Sequence, residues 1–341
     1  MSDNNITSSL RSRQQANNMA AGSKATGFSS LPDDAADRPT YPPPSKRTSP
    51  FLPTPLETLV LLVYPTILTF GTVFSIISPQ TRASPYDPTG HSHVHSEAPS
   101  YFARKDNVFN TLFVKRGWAW ISAAFAAFVL THPALRAPRS RIRAAGRWAL
   151  VTAWWVLVTQ WCFGPAIIDR GFRFTGGRCE VAREAVAEGS ADKADAFTAA
   201  ACKTAGGRWS GGHDISGHVF LLVLGSFFLL QEMGWVVYRA GFAGGREERC
   251  VVMADGAVKG ASVEAENVEP VEGEGVLGFG GRFVLGVVVA CLWMLLMTAM
   301  YFHTWPEKLT GLLVAAMGIY PVYILPRWIP GLRALVGSPG I

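Results

Sequence analysis

The sequence predicts an all-α integral membrane protein, a bundle of about six transmembrane helices, on three observations. Hydrophobic residues fill 49% of the 341 positions and charged residues only 16%, where a soluble domain carries about 25% charged residues. The charge that remains collects between long apolar runs, as a bilayer protein requires. Those runs approach the ~20 apolar residues needed to cross a hydrocarbon core. The net charge of +6 does not signal nucleic acid, because Arg and Lys cluster beside apolar runs instead of on a recognition element.

Residues 1–55 are polar and rich in Ser, Pro, Asn and Asp, with PTYPPPSKRTSP from Pro39 to Pro50. Such a stretch cannot bury enough apolar area to fold and reads as a disordered tail. A cleavable signal peptide is not expected in so polar a segment, and the first apolar run is expected to serve as the targeting signal. Spans are expected at about Leu56–Ile77, Trp118–Leu130, Trp148–Ile168, Ile215–Tyr238, Phe283–Phe302 and Leu309–Leu325. They make one transmembrane domain over 56–330, with a loop at about 240–281 and a C-terminal tail at 331–341. Pro65, Pro165 and Pro321 fall inside these runs, which is tolerable where neighbouring helices cover the freed carbonyls.

Arginines set the orientation. Arg136, Arg139, Arg141, Arg143 and Arg147 follow the second span with no acid among them, a strong cytosolic marker. The same scheme puts both termini and the loop after the fourth span in the cytosol, and Arg239, Arg246 and Arg249 agree. Lys115 and Arg116, before the second span, count mildly against it. The non-cytosolic face then holds residues 79–117, residues 169–214 and the turn around His303. Cys179 and Cys202 both lie in the second of these segments, and in an oxidising compartment they are expected to pair. Cys162 and Cys291 fall within apolar runs and read as core residues. No CxxC pair is present, so a structural zinc site is not expected.

Two clusters carry the ionisable groups that a membrane interior disfavours. One is Gly212-His213-Asp214-Ile215-Ser216-Gly217-His218, opening the fourth span. The other is Tyr301-Phe302-His303-Thr304-Trp305-Pro306-Glu307-Lys308, closing the fifth. The arginine-based topology puts both on one face, although neither entered the assignment. Ser216 and the Gly217 amide lie at an expected helix N-terminus, where N–H groups and the dipole favour an anion. Glu307 follows His303 by four residues, on the same face if the helix continues, and a carboxylate beside an imidazole fixes its tautomer and raises its basicity. One histidine can attack phosphorus while the other protonates the leaving oxygen. A single interfacial histidine is otherwise most often a hydrogen-bonded structural residue. His91, His93 and His95 alternate, so an extended chain points all three one way, but without a placed acid or Cys a solvated loop is the better reading. Glu232 is expected at the membrane interface. Asp169 and Arg170 read as a local ion pair or an interfacial anchor.

The strings SYFARKDNVFNTLFVKRGWAW, QWCFGPAIIDRGF, CKTAGGRWSGGHDISGHVFLL and MTAMYFHTWPEKLTG resemble the fat-storage-inducing transmembrane (FIT) proteins over about residues 56–328. That family includes yeast members involved in lipid homeostasis of the endoplasmic reticulum. It resembles, in turn, the type 2 lipid phosphate phosphatases, whose P-S-G-H block supplies an acid histidine and whose S-R-(x5)-H-(x3)-D block supplies the nucleophile. Ser216-Gly217-His218 matches the first block, and His303 with Glu307 the second. Ile215 stands where those enzymes have Pro, Glu307 where they have Asp, no Ser-Arg pair precedes His303, and the Lys-(x6)-Arg-Pro block is missing.

The resemblance implies an endoplasmic reticulum membrane hydrolase that cleaves fatty acyl-CoA at its diphosphate. Its expected site is His218, His303 and Glu307 as catalytic groups, with Ser216, Gly217, Lys115, Arg116 and Arg170 as substrate-binding candidates. It calls for no metal and no cofactor, and for acyl-CoA and neutral lipids as binding partners. The rival readings are a non-enzymatic triacylglycerol- or diacylglycerol-binding protein and a transporter. The first leaves His218 and His303 without a task. The second calls for buried charges near the bilayer midplane, which these spans largely lack.

Overall fold

A computed structural model describes residues 49–87, 92–160, 165–180, 198–241, 247–264 and 276–341. The expected N-terminal tail up to residue 48, His91 and Cys162 lie outside them. Six principal helices form the bundle: α1 (Pro55–Ile77), α2 (Gly117–Thr131), α3 (Pro138–Thr159), α5 (Gly217–Gly241), α6 (Gly278–Tyr301) and α7 (Trp305–Tyr323). A short helix α4 (Ile167–Phe174) follows α3, and α8 (Pro330–Val336) lies near the C-terminus. Among the described residues, α1, α5, α6 and the run from Trp305 to Trp328 are long and apolar enough to cross a membrane, and α2 is a shorter apolar helix. The chain is an all-α membrane protein.

α5 is the central helix. Phe220, Leu222, Leu224, Phe228 and Leu229 are buried right around it, as an apolar helix enclosed by others requires. α2, α6 and α7 pack against it, and α1 packs outside α6. α1 buries only one stripe, Glu57, Tyr64, Leu68 and Gly71, leaving its other faces for lipid. Gly71 lets α1 close on α6, since a Cβ there would sit 2.4 Å from the Ala299 side chain.

The third span departs from its expected limits at both ends. α3 starts at Pro138 and takes in Arg139, Arg141, Arg143 and Arg147, which the sequence reading puts in a loop. Arg is a good helix former and Pro suits the first helical position, so the helix begins inside the basic cluster. It stops at Thr159 rather than Ile168, with Gln160 already extended and its N–H closing the last turn on the Val156 carbonyl at 2.8 Å. The last span starts at Trp305, with Thr304 as N-cap.

The segment after α5 is not merely a loop. Strands β5 (Cys250–Val252) and β6 (Val258–Gly260) make an antiparallel hairpin, and the expected C-terminal tail folds back onto it through α8. Carbonyls near the C-terminus accept from three arginines: Val336 from Arg147 at 2.6 Å, Pro339 from Arg249 at 2.8 Å, and Gly340 from Arg239. Arg333 reaches Glu264 at 3.0 Å and the Val252 carbonyl at 2.9 Å. Glu232, expected at the membrane interface, is instead buried in a two-toothed ion pair with Arg147, at 2.6 and 2.7 Å.

Candidate active site

The two histidine clusters meet at one end of the bundle. Ser216 caps α5: its hydroxyl accepts from the Val219 N–H at 3.3 Å and its carbonyl from Phe220 at 2.9 Å. His218 follows in the first turn. The Ser216 N–H donates to the Glu307 carbonyl at 3.2 Å, which ties the start of α5 to the start of α7. Gly311 permits that approach, because a Cβ there would lie 2.8 Å from the Ser216 carbonyl.

His303 sits between α6 and α7 with φ at +57°, uniquely so among the described non-glycine residues. A side-chain-bearing residue in this region is uncommon and costs energy that the surroundings must supply. Here the turn is held on both sides: α6 closes at Phe302, and Thr304 with Glu307 forms a capping box in which the Thr304 N–H donates to Glu307 Oε2 at 2.8 Å. The same oxygen lies 3.3 Å from His303 Nδ1. The four-residue spacing therefore works differently from the expected shared helix face. Glu307 is the third helical residue, and its carboxylate folds back over the N-terminus to reach an imidazole that stands outside the helix.

The His218 and His303 rings are 6.2 Å apart and face a cavity of about 430 Å³. Gly217, Lys105, Lys115 and Asp214 line it. Val114, Trp155, Ile168 and Leu221 form an apolar wall, stiffened by the stack of Trp155 on Trp118 at 5.3 Å. Of the expected substrate-binding residues, Gly217 and Lys115 therefore face the histidines. The Ser216 hydroxyl is fully buried as the α5 cap and does not line the cavity. Arg116 lies at the N-cap of α2, and Arg170 donates to the Pro165 carbonyl at 2.6 Å; neither lines it. Asp169 accepts from the Ala199 N–H at 3.4 Å.

Lys105 was missed by the sequence reading. The lysines at 105 and 115 reach one cavity because Phe109–Val114 winds as a π-helix, with Lys115 N–H bonding back to the Asn110 carbonyl at 2.9 Å. π-turns concentrate at functional sites. The buried Asn110 side-chain amide also donates to the Lys105 carbonyl at 2.7 Å, and the Asn110 backbone N–H donates to the Asn107 side-chain oxygen at 2.8 Å. The usable signal was the FARKDNVFNTLFVKRG string itself, two lysines bracketing two asparagines. Desolvation lowers the Lys105 ammonium from its usual range, with Lys203 and Lys115 pushing the same way and Asp87 and Asp214 opposing.

Two further features frame the site. Strands β1 (Tyr86–Asp87) and β2 (Ser92–His93) form a hairpin whose Tyr86 is hydrogen-bonded to the His303 backbone. Cys179 and Cys202 form a disulfide with Cα atoms 5.7 Å apart. It ties β3 (Arg178–Cys179) to the short helix Ala199–Thr204, and β3 pairs with β4 (Trp209–Ser210) just before His213, whose N–H donates to Thr175 at 2.7 Å. His93 bonds to Ser84 at 3.0 Å and His95 to Asp106 at 2.9 Å. Among the described residues, no three metal-ligating side chains converge.

Comparison with known proteins gives a consistent picture. The family model "Fat storage-inducing transmembrane protein" matches residues 98–323. The acyl-coenzyme A diphosphatase fit1 of Schizosaccharomyces pombe is 30% identical over 284 residues, 83% of this chain and 90% of that one. The acyl-coenzyme A diphosphatase FITM2 of Mus musculus is 29% identical over 239 residues, 68% of this chain and 76% of its own. The acyl-coenzyme A diphosphatase SCS3 of Saccharomyces cerevisiae is 25% identical over 212 residues, 38% and 56% of the two chains. No solved structure matches.

Proposed function

The chain belongs to the fat storage-inducing transmembrane protein family, and from that premise we propose that it is an acyl-CoA diphosphatase. The observation that carries this reading is the pair of imidazoles facing one cavity with two lysines on its wall. His303 is the nucleophile. Its Nδ1 faces Glu307, so the proton stays on that nitrogen and Nε2 keeps the lone pair. Nε2 attacks one phosphorus of the substrate diphosphate, an N–P bond forms and the anhydride P–O bond breaks. His218 donates its proton to the departing phosphate oxygen. In the second half, water attacks the phosphohistidine, His218 takes the water's proton, and His303 is released. Lys105 and Lys115 hold the phosphate oxygens as point charges. The wall of Val114, Trp155, Ile168 and Leu221 takes the acyl-bearing arm. The products are acyl 4′-phosphopantetheine and adenosine 3′,5′-bisphosphate.

The reading includes an endoplasmic reticulum location, a lumenal site, cytosolic termini, and a role in lipid homeostasis and lipid droplet formation. Its support is the family, the arginines at the far end of the bundle, and the Cys179–Cys202 bond, which suits an oxidising compartment. Single cysteines placed at Arg139 and Arg173 should react with an impermeant reagent from opposite sides of sealed microsomes. Reaction from one side would overturn the orientation. A triacylglycerol- or diacylglycerol-binding role without catalysis gives the histidines and lysines of the cavity nothing to do. Purified protein in detergent should release both products from oleoyl-CoA, as read by mass spectrometry, and His303→Ala should release neither. Equal release by the two proteins would sink the proposal.

A further inference from the structure

A second cavity, of about 330 Å³, lies between α1 and α7. It shares no lining residue with the histidine cavity and sits on the far side of the Phe302–Glu307 turn. Leu68, Thr69 and Thr72 of α1 and Trp305, Lys308 and Leu312 of α7 form its walls. Thr69 and Trp305 are exposed on the outside of the bundle, so the groove opens sideways toward lipid.

Lys308 makes this groove unusual. A charged side chain on an apolar helix is costly and marks function by default, and this one is 3% exposed. Its Nζ donates to the Ala299 carbonyl at 2.6 Å and, weakly, to the Thr72 hydroxyl at 3.4 Å. The short bond goes to a neutral carbonyl; the neighbouring Glu307 carboxylate attracts the ammonium through space but is engaged by the Thr304 N–H and His303. An ammonium has three donors, and the groove is where a further acceptor can reach it.

The chemistry of the walls selects the acceptor. One cation and two threonine hydroxyls match a single negative charge spread over two oxygens. A phosphate monoester carries about −1.5 to −2 charge and three acceptor oxygens, which this donor set does not balance. The histidine cavity, with two lysines, does. The volume is at the low end for a ligand pocket and suits one chain rather than two or three.

We propose that this groove binds a single-chain fatty carboxylate entering from the bilayer, its headgroup on Lys308 and Thr72 and its chain along Leu68 and Leu312. The site does not rest on the catalytic reading: it shares no lining residue with the histidine cavity, although Lys308 adjoins Glu307.

The test uses full-length protein in phosphatidylcholine vesicles and a palmitic acid analogue bearing a mid-chain diazirine. After irradiation, the labelled peptides are mapped by mass spectrometry. Label should fall on residues 65–73 and 305–312, and an excess of oleate should remove it. Lysophosphatidate and diacylglycerol should not. Leu312→Trp fills the groove without touching the Ala299 contact, and should cut labelling at least tenfold while acyl-CoA hydrolysis stays at the wild-type rate. Lys308→Gln should do the same to labelling; where that variant fails to fold, Leu312→Trp carries the test alone. Label elsewhere, full labelling of Leu312→Trp, or equal competition by lysophosphatidate or diacylglycerol overturns the proposal.

Discussion

At the end of the bundle away from the histidines, buried carboxylates meet guanidinium groups. Glu57 pairs with Arg327 at 2.5 Å and also accepts from the Trp235 indole at 3.2 Å and the Thr54 N–H at 2.9 Å. Glu232 takes two bonds from Arg147 and a third from the Tyr323 hydroxyl at 2.9 Å. At the histidine end, Glu307 is buried just as deeply but meets an imidazole and a backbone N–H. The difference teaches what each end is for. A carboxylate locked by a planar, permanently charged fork is a fastener. A carboxylate beside an imidazole that faces an open cavity holds that ring from one side and leaves its other side open to a ligand.

Breaking the fastened end should cost stability and spare chemistry. Arg147→Ala leaves Glu232 buried without its cation, which costs about 3–5 kcal/mol. Thermal unfolding in detergent should drop accordingly, while turnover per folded molecule stays near wild type. A variant that folds normally but loses turnover would erase the contrast between the two ends.

Glu307→Gln sharpens the contrast from the other side. Glutamine can still complete a capping box, so the turn should survive with little change in melting temperature. The charge that orients the imidazole is lost, and kcat should fall on the order of 10²-fold, within the range of acid–base assistance, with KM little changed. A fall in stability with no fall in kcat would make Glu307 a cap and nothing more.

The smallest effect expected is in the pH profile. Desolvation lowers the Lys105 pKa, so its positive charge is present at low pH and is lost earlier than usual as pH rises. KM for the diphosphate substrate should therefore climb on the alkaline side. Lys105→Arg keeps the charge throughout and should flatten that climb. Identical profiles for the two proteins would remove Lys105 from phosphate binding.

The parts of this architecture legible in sequence were those set by composition over a long window. Twenty apolar residues state a span by themselves, and the arginine cluster put His218 and His303 at a common end before any coordinates. What stayed hidden depended on backbone detail. The start of α3 was masked because arginines that mark a loop by charge are also good helix formers, and Arg147 in particular is a buried partner of Glu232. The Glu307 contact was expected from helix periodicity, but the chain makes it through a capping box and a left-handed His303, a geometry no periodicity encodes. Lys105 needed a π-turn to join Lys115, and Ser216 went to a helix cap, a role its residue type equally allows. The docking of α8 rests largely on arginine contacts to backbone carbonyls, which leave no pattern in a sequence, whereas the β5–β6 hairpin did have a signal in Asp255-Gly256, whose glycine turns at φ +80°.

The central claim is that the two histidines divide the labour, and substrates with different leaving groups test it most directly. His303→Ala and His218→Ala would each be assayed on oleoyl-CoA and on an activated aryl phosphate ester whose leaving group needs no proton. His303→Ala should be inactive on both. His218→Ala should lose about 10²–10⁴-fold on oleoyl-CoA, the usual worth of a general acid, and keep measurable turnover on the aryl ester. Equal losses for His218→Ala on the two substrates, or residual turnover by His303→Ala on either, would contradict the assignment.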